Sequence, residues 1–152
     1  MFLWRISNHH DLSGKGALVA SGRWHSKGLA LVYLAETPPG ALLEDLVHLV
    51  SRAGKLPKTY GLLKINVPED LIVRELSPLE TEGWKGSLEL TQGMGDGWLS
   101  SLETPLARVP SVIIRDTWNI LLNPLHPNAA DIKIVSATQE PFDLRLFRFG
   151  PR

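Results

Sequence analysis

Hydrophobic and polar positions divide this chain into short segments of two periods. Residues 2–7 alternate loosely, with Phe2, Trp4 and Ile6 on one side and Leu3 and Arg5 on the other, which predicts a short strand. The run Leu29–Ala35, LALVYLA, carries no charge and is rich in β-formers, as a buried strand requires; Glu36 ends it. Thr59–Val67 predicts another strand, stopped by Pro68, and Leu71–Leu76 a further one. Ala107–Arg115 reads as a strand with Pro110 at a bulge or an edge. Ala17–Ala20 reads as a short strand, Asp131–Ala137 alternates as one, and Phe142–Phe149 alternates as the last. Trp118–Leu122 is apolar, and the NPLHPN that follows is rich in turn formers.

The period changes after Pro38-Pro39-Gly40. Leu42, Leu46, Leu49 and Ala53 recur at helical spacing, joined by Leu43, Val47 and Val50. This predicts a helix from about Pro39 to about Ala53 with Gly54 as its stop, and the width of the apolar arc predicts that it is substantially buried. A second helix is expected from Ser87, interrupted near Gly93–Gly97, with Trp98 and Leu99 packed inward. The TQGMGDGWL stretch lacks the GK[ST] ending and the preceding strand of a phosphate loop, so its glycines read as a bend and a close contact beneath Trp98. Six to eight strands with two or three helices, mixed rather than alternating, make an α+β fold with mixed β-sheets, one domain over residues 1–152. No GxGxxG follows the first strand, which excludes the dinucleotide-binding parallel sheet.

At 152 residues the chain can bury one real core. Its formal net charge of zero argues against a free-standing nucleic-acid binder and, weakly, against a membrane-surface role. The absence of cysteine removes disulfides, thiolate catalysis and thiolate zinc sites, and suits a reducing cytoplasm, the expected location. The opening MFLWRISNHH is broken by Arg5 and has no small-residue cleavage site, so it does not read as a signal peptide. No apolar stretch is long enough to span a bilayer.

Several chemistries fail on residue pattern. A nucleophile elbow G-x-S-x-G is missing; Ser111 sits in VPSVI. The histidines show no HxH or HExxH spacing, and the neighbours His9 and His10 point opposite ways on an extended segment, as in a solvated loop. Glu36 and Glu44 could form a carboxylate pair, but nothing fixes their separation. What remains is the segment Gly22–Glu44, with Arg23 before a buried strand, Tyr33 on it, and Glu44 in the first turns of the next helix. A guanidinium binds a diphosphate as a fork. An aromatic face stacks a flat ring. A carboxylate can bond a ribose hydroxyl and stabilise an oxocarbenium-like transition state. Cleavage of the N-glycosidic bond of NAD fits these groups and requires no metal. Arg5 either snorkels at a sheet edge or supplies a second cation. Glu44 and His48, spaced i, i+4, are either a solvated surface pair or a carboxylate at the rim of a site.

The pieces LWRIS, GRWHSKG, VYLAE, ALLE, QGMGDGWL, VPSVI, NILLNPLHP and FDLRLF, in that order over nearly the whole chain, resemble the RES-domain family of bacterial toxins, named for its Arg, Glu and Ser. The resemblance implies an ADP-ribosyltransferase-like fold and NAD+ as substrate, with inorganic phosphate a candidate co-substrate. It implies that Glu44, Arg23 and Tyr33 are catalytic, and that Arg5, Arg23, His25, Tyr33 and Ser111 contact NAD+. Asn119 or Asn123 would match a further polar position. His25 stands where many relatives carry Asn, which should alter one pocket contact and spare the Arg–Tyr–Glu set. The implied activity is an NAD+ phosphorylase or glycohydrolase that depletes NAD and arrests growth, neutralised by a helix-turn-helix, Xre-like antitoxin covering the site. Alternatives are a protein ADP-ribosyltransferase and a non-catalytic binding module on the same fold. Phosphate, water or a protein side chain could each accept the ADP-ribose, and a homodimer or a toxin–antitoxin hetero-oligomer would each be compatible.

Overall fold

A computed structural model describes residues 1–51 and 57–147. Its strands are β1 (Phe2–Ile6), β2 (Val32–Ala35), β3 (Thr59–Asn66), β4 (Val73–Glu75), β5 (Leu106–Pro110), β6 (Trp118–Leu122) and β7 (Lys133–Pro141). Its α-helices are α1 (Lys15–Val19), α2 (Pro38–Ser51) and α3 (Leu88–Ser101). The strands form one mixed sheet in the order β4-β5-β6-β2-β1-β3-β7, antiparallel at every junction except the parallel pair β4–β5. This is the α+β architecture that the alternation of periods predicts.

Strand alternation sends apolar side chains to both faces of the sheet. Leu3, Val32, Leu34, Leu63, Ile65, Leu106, Ile120 and Leu122 build one core cluster. Ala107, Val109 and Leu121 meet Trp24, Trp84, Trp98 and Leu99 in a second, which seats α3 against the sheet. Among the described residues, no helix is long and apolar enough to cross a membrane.

The sheet has one weak seam. β2 pairs with β6 along its whole length, and β1 pairs with β3 along its whole length. Between β1 and β2 the only matched pair is Trp4 with Ala35. Continuing that antiparallel register would set Arg5 against Leu34 and Ile6 against Tyr33, and neither pair forms. The two strands diverge there, in the middle of the sheet.

Several expectations are corrected. Ala17–Ala20 lies mostly in the short helix α1, which follows Gly14 at a left-handed φ of 68° and buries only Ala17. The LALVYLA strand starts at Val32 instead of Leu29. Arg5 is not at an edge, because β1 is flanked by β2 and β3. Helix α2 starts one residue earlier than expected: Thr37 Oγ1 accepts the Gly40 N–H at 3.2 Å as an N-cap, with Pro38 first in the helix. It is half-exposed rather than substantially buried. Ala41 is its one buried residue among those described, and Val47 is 47% exposed. Its expected end at Ala53 and Gly54 lies outside the described residues.

Helix α3 runs without interruption through its glycines, since Thr91, Gly95, Trp98 and Leu99 fall at i, i+4, i+7 and i+8 and are all buried. Pro110 marks neither bulge nor edge; it is the last residue of β5, paired with Trp118, and the strand does not continue to Arg115. The final strand is β7, which reaches Pro141. Phe142 instead turns inward against Tyr60 and Phe147, at ring centroids 4.7 and 5.3 Å, and Leu144–Phe147 is a 3-10 turn; Phe149 lies outside the described residues.

The glycines of α3 predict opposite responses to alanine. Gly93 and Gly97 are exposed, and an added Cβ at either meets nothing within 4 Å. Gly93→Ala and Gly97→Ala should each raise stability, by up to about 1 kcal/mol, through helix propensity. A Cβ on Gly95 would lie 1.7 Å from the Trp24 carbonyl oxygen. Gly95→Ala should therefore destabilise by about 1–3 kcal/mol despite the same gain in propensity. Denaturant midpoints of the three variants check the pattern, and an equal response at all three positions would refute the close contact.

Candidate functional site

The segment Gly22–His25 is a tight turn closed by the Gly22 N–H donating to the His25 carbonyl at 3.0 Å. Arg23 and Trp24 occupy its corners. Trp24, 3% exposed, is driven into the second core beside Trp84 and anchors the turn. Arg23 is left half-buried at the surface, with one guanidinium N–H donating to the Lys85 carbonyl at 3.0 Å. That bond uses one of a guanidinium's five N–H donors.

His25 is 3% exposed and tied at both ring nitrogens. Nε2 lies 3.0 Å from the Ala20 carbonyl, which can only accept, so Nε2 carries the proton. In the neutral ring Nδ1 then accepts, and the Tyr33 hydroxyl 2.9 Å away donates to it. The Tyr33 oxygen in turn accepts the Trp24 N–H at 3.1 Å. Burial, the largest influence, pushes the phenol pKa up to about 12 against an opposing hydrogen bond from Trp24 and the nearby charge of Arg23. The hydroxyl is thus held protonated and occupied, while the residue as a whole is 37% exposed and offers its ring. Gly22 is required beneath this latch, because a Cβ there would lie 2.6 Å from the Tyr33 hydroxyl and 2.7 Å from His25 Cε1.

Glu44 comes from the opposite side, on α2. Its Oε1 accepts from the Ser111 hydroxyl and from Asn119 Nδ2, both at 2.8 Å. Ser111 follows the last residue of β5 and is 4% exposed; its oxygen also accepts the N–H groups of Ile113 and Ile114 at 3.1 and 3.3 Å. Asn119 lies on β6, where its partner in register is Ala35. Glu44 is therefore directed at the sheet, which sets aside the reading of a purely solvated helix pair.

These elements enclose a cavity of about 520 Å³ at the seam between β1 and β2. Its walls include Trp4, Arg5, Arg23, His25, Tyr33, Glu44, His48 and Asn119. Arg5 contributes from β1, one guanidinium N–H bonded to the Asp11 carbonyl at 2.8 Å. Burial pulls its pKa below the ordinary arginine value, and the Asp11 carboxylate opposes the shift. Ser111 does not line the cavity; it lies behind Glu44. Of the two asparagines left open by the sequence, Asn119 is in the wall. Asn123 is 1% exposed and holds the Leu99 carbonyl and the Leu125 N–H, which is a structural task.

His9 and His10 lie in an exposed loop, and among the described residues no group of three His, Cys, Asp or Glu could hold a metal ion. Sequence reasoning missed that Ser111 and Asn119 converge on one carboxylate oxygen, and that His25 and Tyr33 latch to each other. The first joins residues 67 and 75 positions from Glu44 and has no local signal. The second was available in the GRWHSKG–VYLAE order only if the turn's return onto the strand were known.

Comparison with known proteins finds a family and a fold for the chain. The RES domain matches residues 2–145. A Pseudomonas putida protein named Toxin Res is 45% identical over 147 residues, covering 97% of this chain and 100% of the relative. A Sphingobium sp. protein named Prs ADP-ribosylating toxin is 35% identical over 158 residues, covering 95% and 96%. Among solved structures, the crystal structure of the M. tuberculosis MbcT–MbcA toxin–antitoxin complex contains a chain of the same fold, with a TM-score of 0.72 and 20% identity over 92% of this chain and 84% of that one.

Removing the Tyr33 hydroxyl would leave the Trp24 N–H and His25 Nδ1 without a partner. Tyr33→Phe should lower stability by about 1–3 kcal/mol near neutral pH. The phenol's folded pKa, about 12, lies above its ordinary 10.0. Its contribution is therefore complete below about pH 10 and is lost as pH rises through about 12. The gap in melting temperature between wild type and Tyr33→Phe should be widest below pH 10 and shrink above it. A gap that grows with pH would contradict the buried, protonated hydroxyl.

Proposed function

The chain belongs to the RES-domain family, and from that premise and the geometry of the cavity we propose that it is a toxin enzyme that cleaves the nicotinamide–ribose bond of NAD+. The observation that carries this reading is the placement of Glu44. One of its oxygens is fixed by two neutral donors, Ser111 and Asn119, in the wall of a cavity that also holds two arginines and an exposed tyrosine ring. Arg23 and Arg5 hold the diphosphate, with the guanidinium fork matching adjacent phosphate oxygens. The Tyr33 ring stacks the nicotinamide. Glu44 faces the ribose. When the C–N bond breaks, its electron pair passes to the pyridinium nitrogen, and nicotinamide departs neutral. Positive charge builds on the ribose, where the fixed carboxylate stabilises it. The acceptor is phosphate or water, making the enzyme an NAD+ phosphorylase or glycohydrolase, and no metal takes part.

A second reading, transfer of ADP-ribose to a protein, is favoured by the Sphingobium relative's name. The two share the bond-breaking step and differ in the acceptor. Incubation of the purified protein with NAD+, with and without phosphate and with a cell extract, followed by product identification, tests both. Free nicotinamide is expected in each case. Its absence would end both readings. An antitoxin of helix-turn-helix type that covers the cavity is proposed as partner, supported by the toxin–antitoxin pairing of the M. tuberculosis structure.

Glu44→Gln keeps an oxygen for Ser111 and Asn119 and removes only the charge. It should lower turnover by about 10²–10³ or more, as loss of a preorganised electrostatic group does, with NAD+ affinity changed much less. Arg23→Ala should abolish turnover in a folded protein, and Arg23→Lys should not fully restore it, because a point charge lacks the fork. Near-normal turnover in folded Glu44→Gln, or in folded Arg23→Ala, would remove that residue from the mechanism.

A further inference from the structure

The Gln-Gly-Met-Gly-Asp-Gly stretch of α3 lies outside the cavity walls, yet one face of it grips the turn that carries Arg23. Gln92 Nε2 donates to the Gly22 carbonyl at 2.8 Å. Gly95 packs against the Trp24 carbonyl so closely that no side chain would fit between them. The Asp96 carboxylate accepts the Ser26 N–H at 2.8 Å on one oxygen and the Ser26 hydroxyl at 2.5 Å on the other. Positions 92, 95 and 96 are spaced i, i+3, i+4, so all three fall on one helical face. They hold residues 22, 24 and 26, and Arg23 and His25 lie between the held points. The Lys85 carbonyl, from the 3-10 turn just before α3, takes one N–H of Arg23 itself.

We infer that Asp96 and Gln92 are positioning residues for Arg23: α3 clamps the turn at both ends so that the guanidinium meets a ligand diphosphate already oriented. Arg23's contact with a diphosphate is taken from the proposed function; the clamp itself rests on the hydrogen bonds and the close packing between α3 and the turn. A flexible arginine-bearing turn would have to be ordered on binding, at an entropic cost that the clamp has already met in folding. The charged acceptor of Asp96 matters most, since it makes two hydrogen bonds to one serine, and bonds to an ionised group are the stronger kind.

The test uses full-length Asp96→Ala and Asp96→Asn, with ADP as a diphosphate probe that has no bond to cleave. Asp96→Ala should weaken ADP binding roughly tenfold, the scale of one charged hydrogen bond. It should raise KM for NAD+ by a similar factor while kcat stays within about threefold. Asp96→Asn keeps an acceptor for the Ser26 N–H and should fall between wild type and alanine. Amide hydrogen exchange at residues 22–26 should speed up in Asp96→Ala. In an Arg23→Ala background the same substitution should cost no further ADP affinity, whereas a merely structural role would cost the same in both. Unchanged exchange at 22–26 in folded Asp96→Ala, an undiminished loss in the Arg23→Ala background, or no ADP binding by wild type would overturn the inference. Failure of the proposed function would show separately, as ADP binding by wild type without NAD+ turnover.

Discussion

The site depends on a missing piece of sheet. β1 and β2 are neighbours held at a single residue pair, and they part just where Arg5, Ile6, Tyr33 and Leu34 would otherwise face one another. A continuous sheet would spend those backbone groups on a ladder and leave no space between the strands. The divergence survives because each strand is fully paired on its other side, β1 with β3 and β2 with β6. Two half-sheets, each with its own complete ladder, can therefore hold a cavity open between them. The second core then fixes the half that carries Tyr33, because Leu121, its partner in register on β6, is packed among the tryptophans.

Glu44 is held by donors that carry no charge. A lysine or arginine partner would also orient the carboxylate, but it would cancel the negative field that a cationic transition state needs. Ser111 and Asn119 orient it without cancelling it, and both bonds fall on one oxygen. Ser111 can do this because its own oxygen is pinned by two backbone N–H groups where the chain leaves β5. On the proposed reading the serine acts as a strut for the glutamate, set back from the cavity.

How much of this was legible in the sequence varied with the range of the interaction. β1, β3 and, to within one residue, the start of α2 follow from local alternation and from the Pro38-Pro39-Gly40 break. The Arg–Tyr–Glu trio could be read because its members sit on consecutive elements. Errors arose where tertiary context overrode local preference. The glycines of α3 suggested a break, but the helix persists because one of them must touch the Trp24 carbonyl and the buried residues around it keep helical spacing. The apolar arc of α2 suggested burial, whereas much of the helix stands over the cavity and exposes Val47 and His48. Phe142 kept the alternation of a strand, yet stacking on Tyr60 drew it inward. Ser111, Asn119 and Asp96 could not have been assigned from spacing alone, since each meets its partner across some seventy residues.

Most polar side chains in and behind the cavity wall are already engaged. His25 is bonded at both ring nitrogens, the Tyr33 hydroxyl both donates and accepts, and Ser111 is committed to Glu44. The phenol's raised pKa places its ionisation far above neutrality, which makes it a poor proton donor to a leaving group. That would be a defect in an enzyme whose leaving group had to be protonated. On the proposed reading there is no such need: in the departure of nicotinamide from NAD+ the nitrogen starts as a cation and leaves neutral. What the step requires is a fixed negative charge near the ribose, a flat surface against the ring and a firm hold on the diphosphate. Glu44, the Tyr33 ring and the Arg23 N–H groups not given to Lys85 would supply these on the proposed reading. The arrangement trades proton mobility for rigidity, which suits a reaction whose barrier is one of charge development.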